Sequence, residues 1–129
     1  MKYLDSSVVL AHLFAEERRP PEHLWSGTLV SSRLLTYEVW VKLHSRGFGE
    51  SHADEAASIL ELLNVMEMDP HVLARALEPF PRPTRTLDAI HLASADFLRS
   101  QGQEVAIVTY DMRMSETARE MGFELYPLE

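Results

Sequence analysis

The sequence predicts an α/β fold with a mainly parallel central sheet of about five strands, covered by helices on both faces. Three observations lead to it. Short apolar runs, "KYL", "LVSS", "VMEM", "VAIVT" and "FELY", alternate with longer helical runs, the pattern of βαβ crossovers. Acids close two of these runs, Asp5 after "KYL" and Asp111 after "VAIVTY", and ligand sites of parallel sheets lie beyond the strands' carboxyl ends. Finally, 129 residues with 46% hydrophobic and 25% charged content match ordinary globular usage and suit one domain with a real core, expected over residues 1–129. No internal repeat is visible.

In chain order, "KYL" is a strand that stops at Asp5, and Ser6 and Ser7 are candidate caps for a helical run through "VVLAHLFAEE". Two prolines in "RRPPEHLWSGT" break that helix before the strand "LVSS". The next helix, "RLLTYEVWVKLHSR", carries a core stripe of Leu35, Val39, Trp40 and Leu43 and closes at Gly47. A third helix, "ESHADEAASILELLN", opens with Ser51 and Asp54 in capping-box spacing, and "VMEM" follows as a strand. Asp69 before Pro70 starts the helix "PHVLARALE", which the proline-rich "PFPRPTR" stops. "TLDAIHLASADF" opens the next helix, with Thr86 as its N-cap and Gly102 as its end. The strand "VAIVT", the helix "MSETAREM" ended by Gly122, and the strand "FELY" complete the chain.

The chain has no cysteine, which excludes disulfides, thiolate zinc sites and a cysteine nucleophile. No apolar run approaches the roughly 20 residues of a membrane span. The start, "MKYLDSSVVLAHLF", lacks the basic region and cleavage site of a signal peptide, so the expected location is the cytoplasm. A net charge of −8 disfavours binding of nucleic acid by bulk electrostatics. It leaves a nucleic-acid enzyme open, because bound cations invert the local field of a carboxylate-rich site.

Four acids stand apart from the surface charge: Asp5, Glu38, Asp88 and Asp111. Each has a bland reading. Asp5 and Asp111 suit capping or loop roles. Glu38 precedes Lys42 by one helical turn, a surface pair worth about 0.2 to 0.5 kcal/mol. Asp88 in a first turn complements the helix dipole, worth about 0.3 to 1 kcal/mol. Yet Glu38 projects from the edge of an apolar stripe, and Ala89, Ala93 and Ala95 let the Asp88 helix approach the sheet closely. Carboxylates converging in one cleft repel one another unless a cation is present. Oxygen donors without cysteine call for a hard ion, Mg²⁺ or Mn²⁺, which can activate water for phosphoryl displacement.

"YLDSSVVLA", "LLTYEVW", "TLDAIHLASA" and "VTYDMRMSETAREMGF", in that order, resemble the PIN-domain nucleases and, among them, the VapC toxins of bacterial toxin–antitoxin pairs. The resemblance spans most of the chain; residues 48–82 are its least diagnostic part. It implies a three-layer α/β/α domain and a metal-dependent endoribonuclease that hydrolyses RNA phosphodiesters through metal-activated water. Asp5, Glu38, Asp88 and Asp111 match the family's acidic quartet: Asp5 and Asp88 as main Mg²⁺ ligands, Glu38 orienting water on the metal, Asp111 acting directly or through water. Ser6 and Thr109 match positions where a hydroxyl supports the acids. The resemblance further implies a cognate antitoxin that blocks the cleft and carries the contact with operator DNA, and a homodimer. The segment "ADEAASILELL" would serve either protein contact or simply cover the sheet.

RNA phosphates are expected to meet Arg85 above all, then Arg82, Lys42, Arg46 and Arg113, since arginine suits bidentate phosphate contact. A histidine-based cyclising ribonuclease is the contrasting mechanism, with His12, His44 and His91 available; His91, on a buried stripe with Ile90 and Phe97, reads as a hydrogen-bonded core histidine. A receiver domain would need an acid pair after the first strand and a lysine in the tail, and a haloacid-dehalogenase-like phosphatase an aspartate where Ser7 stands. The remaining alternatives are an RNA-processing nuclease on the same fold and an inactive module that binds RNA or protein.

Overall fold

The computed structural model describes residues 1–14 and 18–128. Strand β1 (Lys2–Leu4) lies at the middle of a five-stranded, wholly parallel sheet of order β3-β2-β1-β4-β5, with β2 at Leu29–Ser32, β3 at Asn64–Met66, β4 at Ala106–Val108 and β5 at Glu124–Leu125. Chain order reverses between β1 and β4, so the switch point of this doubly wound sheet lies directly beyond Leu4 and Val108. Ligands of open α/β sheets bind in that crevice.

Side-chain alternation along the strands divides the core. Leu4, Leu29 and Val108 join one buried cluster with Val8, Val9, Leu35, Val39, Leu43, Ala56 and Ile59, from helices α1 (Ser6–Leu13), α2 (Arg33–Ser45) and α3 (Ala53–Glu61). Tyr3, Val30 and Ile107 point the other way, to Leu92, Ala95, Met114 and Ala118 of helices α5 (Thr86–Ser100) and α6 (Met112–Glu120). Helix α4 (Pro70–Ala76) packs against α5. The result is the expected three layers, helix, sheet, helix. No helix among the described residues is long and apolar enough to cross a membrane.

Most local signals act as read. Asp69 caps α4, its Oδ1 accepting from the His71 and Val72 amides at 2.9 and 3.1 Å. Gly47, at φ 74°, reverses the chain after α2 so that the Phe48 amide reaches the Leu43 carbonyl at 2.8 Å, a left-handed closure that costs glycine nothing sterically. Leu35, Val39 and Leu43 are fully buried, while Trp40 packs on the same cluster only partly buried.

Three caps differ. Helix α1 is entered from Asp5 rather than a serine, with no side-chain cap. Its expected continuation through Ala15, Glu16 and Glu17 lies outside the described residues. Helix α3 begins after His52, and Ser51 turns its hydroxyl to His52 Nδ1 at 2.8 Å instead of forming a capping box. Thr86 is already helical; the cap position belongs to Arg85, which is extended and makes no side-chain cap. This shift matters, because it places Arg85 one helical turn from Asp88.

Candidate active site: an acidic cleft beyond the switch point

Beyond the carboxyl ends of β1 and β4 opens a cleft of about 480 Å³ lined by Asp5, Ser6, Ser7, Glu38, Arg85, Asp88 and Asp111, among others. All four singled-out acids reach it, each from a different element. Asp5 follows β1, Glu38 stands on α2, Asp88 in the first turn of α5 and Asp111 at the start of α6.

Asp5 is only 5% exposed. Its Oδ1 accepts the Ser7 hydroxyl at 2.6 Å and its Oδ2 the Thr109 hydroxyl at 2.7 Å. Those hydroxyls are oriented in turn: Ser7 Oγ accepts the Tyr110 amide at 3.0 Å, and Thr109 Oγ1 the Asp111 amide at 2.9 Å. With an amide hydrogen already on each oxygen, the hydroxyl hydrogens are directed at Asp5. Burial pushes the Asp5 carboxyl up to about 6, against the lowering pull of Ser7, of nearby His91 and of Thr109, while Glu38 adds repulsion. Burial disfavours the charged form of a carboxylate, and a cation bound beside it would favour that form again.

Glu38 turns inward rather than toward Lys42. Its Oε1 lies 2.6 Å from His91 Nε2, and His91 Nδ1 lies 2.8 Å from the Tyr3 hydroxyl. A carboxylate only accepts, so His91 Nε2 donates to Glu38, while Nδ1 shares a hydrogen bond with the Tyr3 hydroxyl. Burial raises the Tyr3 phenol above its ordinary value and keeps it protonated. His91, 1% exposed, is thus the hydrogen-bonded core histidine expected, and it also ties the sheet to a site carboxylate. His12 and His44 lie outside the cleft, against Trp25 and Trp40.

Asp111 combines its bland reading with the functional one. Its Oδ1 caps α6, accepting the Arg113 and Met114 amides at 2.9 and 3.1 Å, while its Oδ2 accepts from Arg85 Nη2 at 2.7 Å. Arg85 Nε also donates to Asp88 Oδ2 at 3.1 Å. The hydrogen bond to Asp88, with the charges of Asp88 and Asp111, holds the guanidinium still more firmly in its charged form.

Of the other expected phosphate contacts, Arg113 lies beside the cleft, sharing a small neighbouring cavity with Arg85 and Asp88. Arg82 is engaged with Glu116 and Glu120 of α6 at 2.9 and 3.0 Å. Lys42 and Arg46 do not line the cleft, and Arg46 lies over the Phe14 ring. Ser6 lines the cleft, but the hydroxyls bonded to Asp5 are those of Ser7 and Thr109. Ser7 and the Tyr3–His91 pair are the members that sequence reasoning passed over. The available signal was spacing, since His91 falls one turn after Asp88 on α5 and therefore on the same side.

The donors are all oxygen, which suits a hard divalent ion and not a soft one. As they stand, no three His, Asp or Glu side chains among the described residues are grouped closely enough to hold an ion; Asp88 and Asp111 are instead bridged by Arg85.

Comparison with known proteins shows the family and the fold. A family model described as the PIN domain matches residues 2–120. Ribonuclease VapC46 of Mycobacterium tuberculosis is 35% identical over 124 residues, covering 93% of this chain and 92% of the relative. In three dimensions, VapC20 of Mycobacterium tuberculosis, a sarcin-ricin loop cleaving toxin, superposes with a TM-score of 0.72 at 22% identity, covering 98% of this chain and 100% of the other. VapBC2 of Rickettsia felis, bound to a DNA fragment from its promoter, gives 0.74 at 13% identity, with both chains fully covered. At these identities the two structures speak to the fold alone.

Proposed function

Because this chain belongs to the PIN-domain family, we propose that it is a metal-dependent endoribonuclease acting as the toxin of a VapBC-type toxin–antitoxin pair. The observation that carries the proposal is the convergence of Asp5, Glu38, Asp88 and Asp111, from four separate elements, on one cleft at the switch point. The similarity to a ribonuclease over nearly the whole chain supports the same reading.

In this reading Asp5 and Asp88 are the main ligands of Mg²⁺ or Mn²⁺, with Asp111 contributing directly or through water. An ion held there would polarise the attacking water and stabilise the oxygen that leaves. The protein's own part is positioning. Ser7 and Thr109 aim the Asp5 oxygens, and the Tyr3–His91 pair keeps one Glu38 oxygen engaged, leaving the other to orient water. Arg85 and Arg113, beside the acids, are the cations best placed to receive RNA phosphate. The chain acts as one cytoplasmic PIN domain and dimerises. Its antitoxin blocks the cleft and carries any contact with operator DNA, as expected of a relative of toxin–antitoxin proteins.

The test is cleavage of total cellular RNA by the purified protein in Mg²⁺ or Mn²⁺, with EDTA and an Asp88→Asn variant alongside. Discrete cleavage lost in both controls supports the proposal. No cleavage by folded, antitoxin-free protein across metals and RNAs would replace it with a binding-only role, and a cyclic-phosphate product would sink hydrolysis by activated water.

A further inference from the structure

The cleft is divided electrostatically. On one side Arg85 bridges Asp88 and Asp111 through two different guanidinium nitrogens, at 3.1 and 2.7 Å. On the other, Asp5 and Glu38 meet only hydroxyls and the His91 ring among the described residues. Both sides carry two carboxylates, yet just one carries a permanent cation.

The bridge is anchored at its root. Arg85 occupies the cap position of α5, and its carbonyl accepts the Ala89 amide at 2.9 Å, so its backbone moves with a helix packed on the sheet. The planar guanidinium spans acids from two separate elements, which a flexible lysine ammonium does less well. Of the two ways Asp111 could serve a metal, this arrangement favours the one through water, because Oδ1 is committed to the α6 cap and Oδ2 to Arg85. Asp88 keeps Oδ1 outside the bridge, since Arg85 uses Oδ2.

We infer that Arg85 is a resident cation of the cleft, tying Asp88 Oδ2 to Asp111 so that the protein takes a single divalent ion, at Asp5 and the remaining oxygen of Asp88 with Glu38 beside it. Arg85 then stands where a second ion would otherwise lie, and offers its remaining donor capacity to a phosphate oxygen. This rests on the reading of the cleft as a hard-cation site. It goes beyond that reading in fixing the number of ions and in giving Arg85 a role before any RNA is bound.

The experiment counts ions without using activity. Free Mn²⁺ is followed by electron paramagnetic resonance as it is titrated into the full chain, the Arg85→Gln variant and the Arg85→Lys variant. Arg85 is 64% exposed, so replacing it leaves the core intact, and a thermal melt in EDTA checks this. The expected result is one ion per chain for the unaltered protein and for Arg85→Lys, and two for Arg85→Gln. Two ions on the unaltered protein would overturn the inference, as would one ion on both it and Arg85→Gln; in either case the metal reading survives. No bound Mn²⁺ on any of the three would overturn the metal reading itself, and the inference with it.

Discussion

Replacing Asp5 by asparagine should make the metal-free protein more stable while abolishing its activity. Burial lifts the Asp5 carboxyl from 3.8 to about 6. A raised carboxyl is a stability penalty at neutral pH: the folded state prefers the proton, so the full stability holds below the unfolded value and is lost as pH rises through the folded one. A shift of about 2 units corresponds to about 3 kcal/mol above pH 7. Asparagine carries no charge and escapes that penalty, but its amide cannot accept from both Ser7 and Thr109, a loss of about 1 kcal/mol. The net gain expected in EDTA near about pH 7.5 is therefore about 2 kcal/mol, shrinking to roughly zero near about pH 4.5, where most of the penalty has gone. Urea unfolding followed by circular dichroism at both pH values reads the difference. An Asp5→Asn protein no more stable than the unaltered chain near neutral pH would refute the argument, because the ionised Asp5 would then carry no burial penalty. Added Mg²⁺ should stabilise the unaltered protein and leave the variant nearly unmoved.

Other consequences follow from contacts elsewhere. His91→Ala should cost about 2 to 4 kcal/mol, by removing a buried ring and leaving the Tyr3 hydroxyl without that hydrogen-bond partner. His91→Gln, whose amide nitrogen can reach Glu38, should recover RNA cleavage better than His91→Asn of similar stability, a comparison of kcat in the two folded variants. Asp96 joins Arg75 of α4 to Arg99 of α5 at 2.8 Å each. Burial pushes its carboxyl up, but the two arginines more than offset this and hold it below 3.8. Asp96→Ala should therefore lose about 1 kcal/mol, discounted for partial exposure, measurable by urea unfolding near neutral pH and vanishing as pH falls through the lowered value. Leu92→Ala, at a fully buried position facing the sheet, should cost about 2 to 5 kcal/mol through the cavity it leaves, whereas Leu77→Ala, 88% exposed, should be nearly silent in the same assay.

Much of the fold is encoded locally. Apolar runs ending at Asp5 and just before Asp111, the Asp69–Pro70 start and the Gly47 stop are set by interactions within a few residues, and those elements form where expected. The mainly parallel sheet also followed from the alternation of strands and helices. The four acids were legible as a set only through their resemblance to a family, because no spacing rule links them. Tertiary structure alone decided how the site is wired. Thr109 meets Asp5 across 104 residues and His91 meets Glu38 across 53, while Arg85, expected at RNA phosphate, closes onto Asp88 and Asp111. Near-neighbour patterns do not encode such pairs. A hydroxyl's direction or a guanidinium's partner depends on which elements the packed sheet brings within about 3 Å, the range over which hydrogen bonds act. Thus Ser6 and Ser7, alike in sequence, separate in role only once β4 lies beside β1.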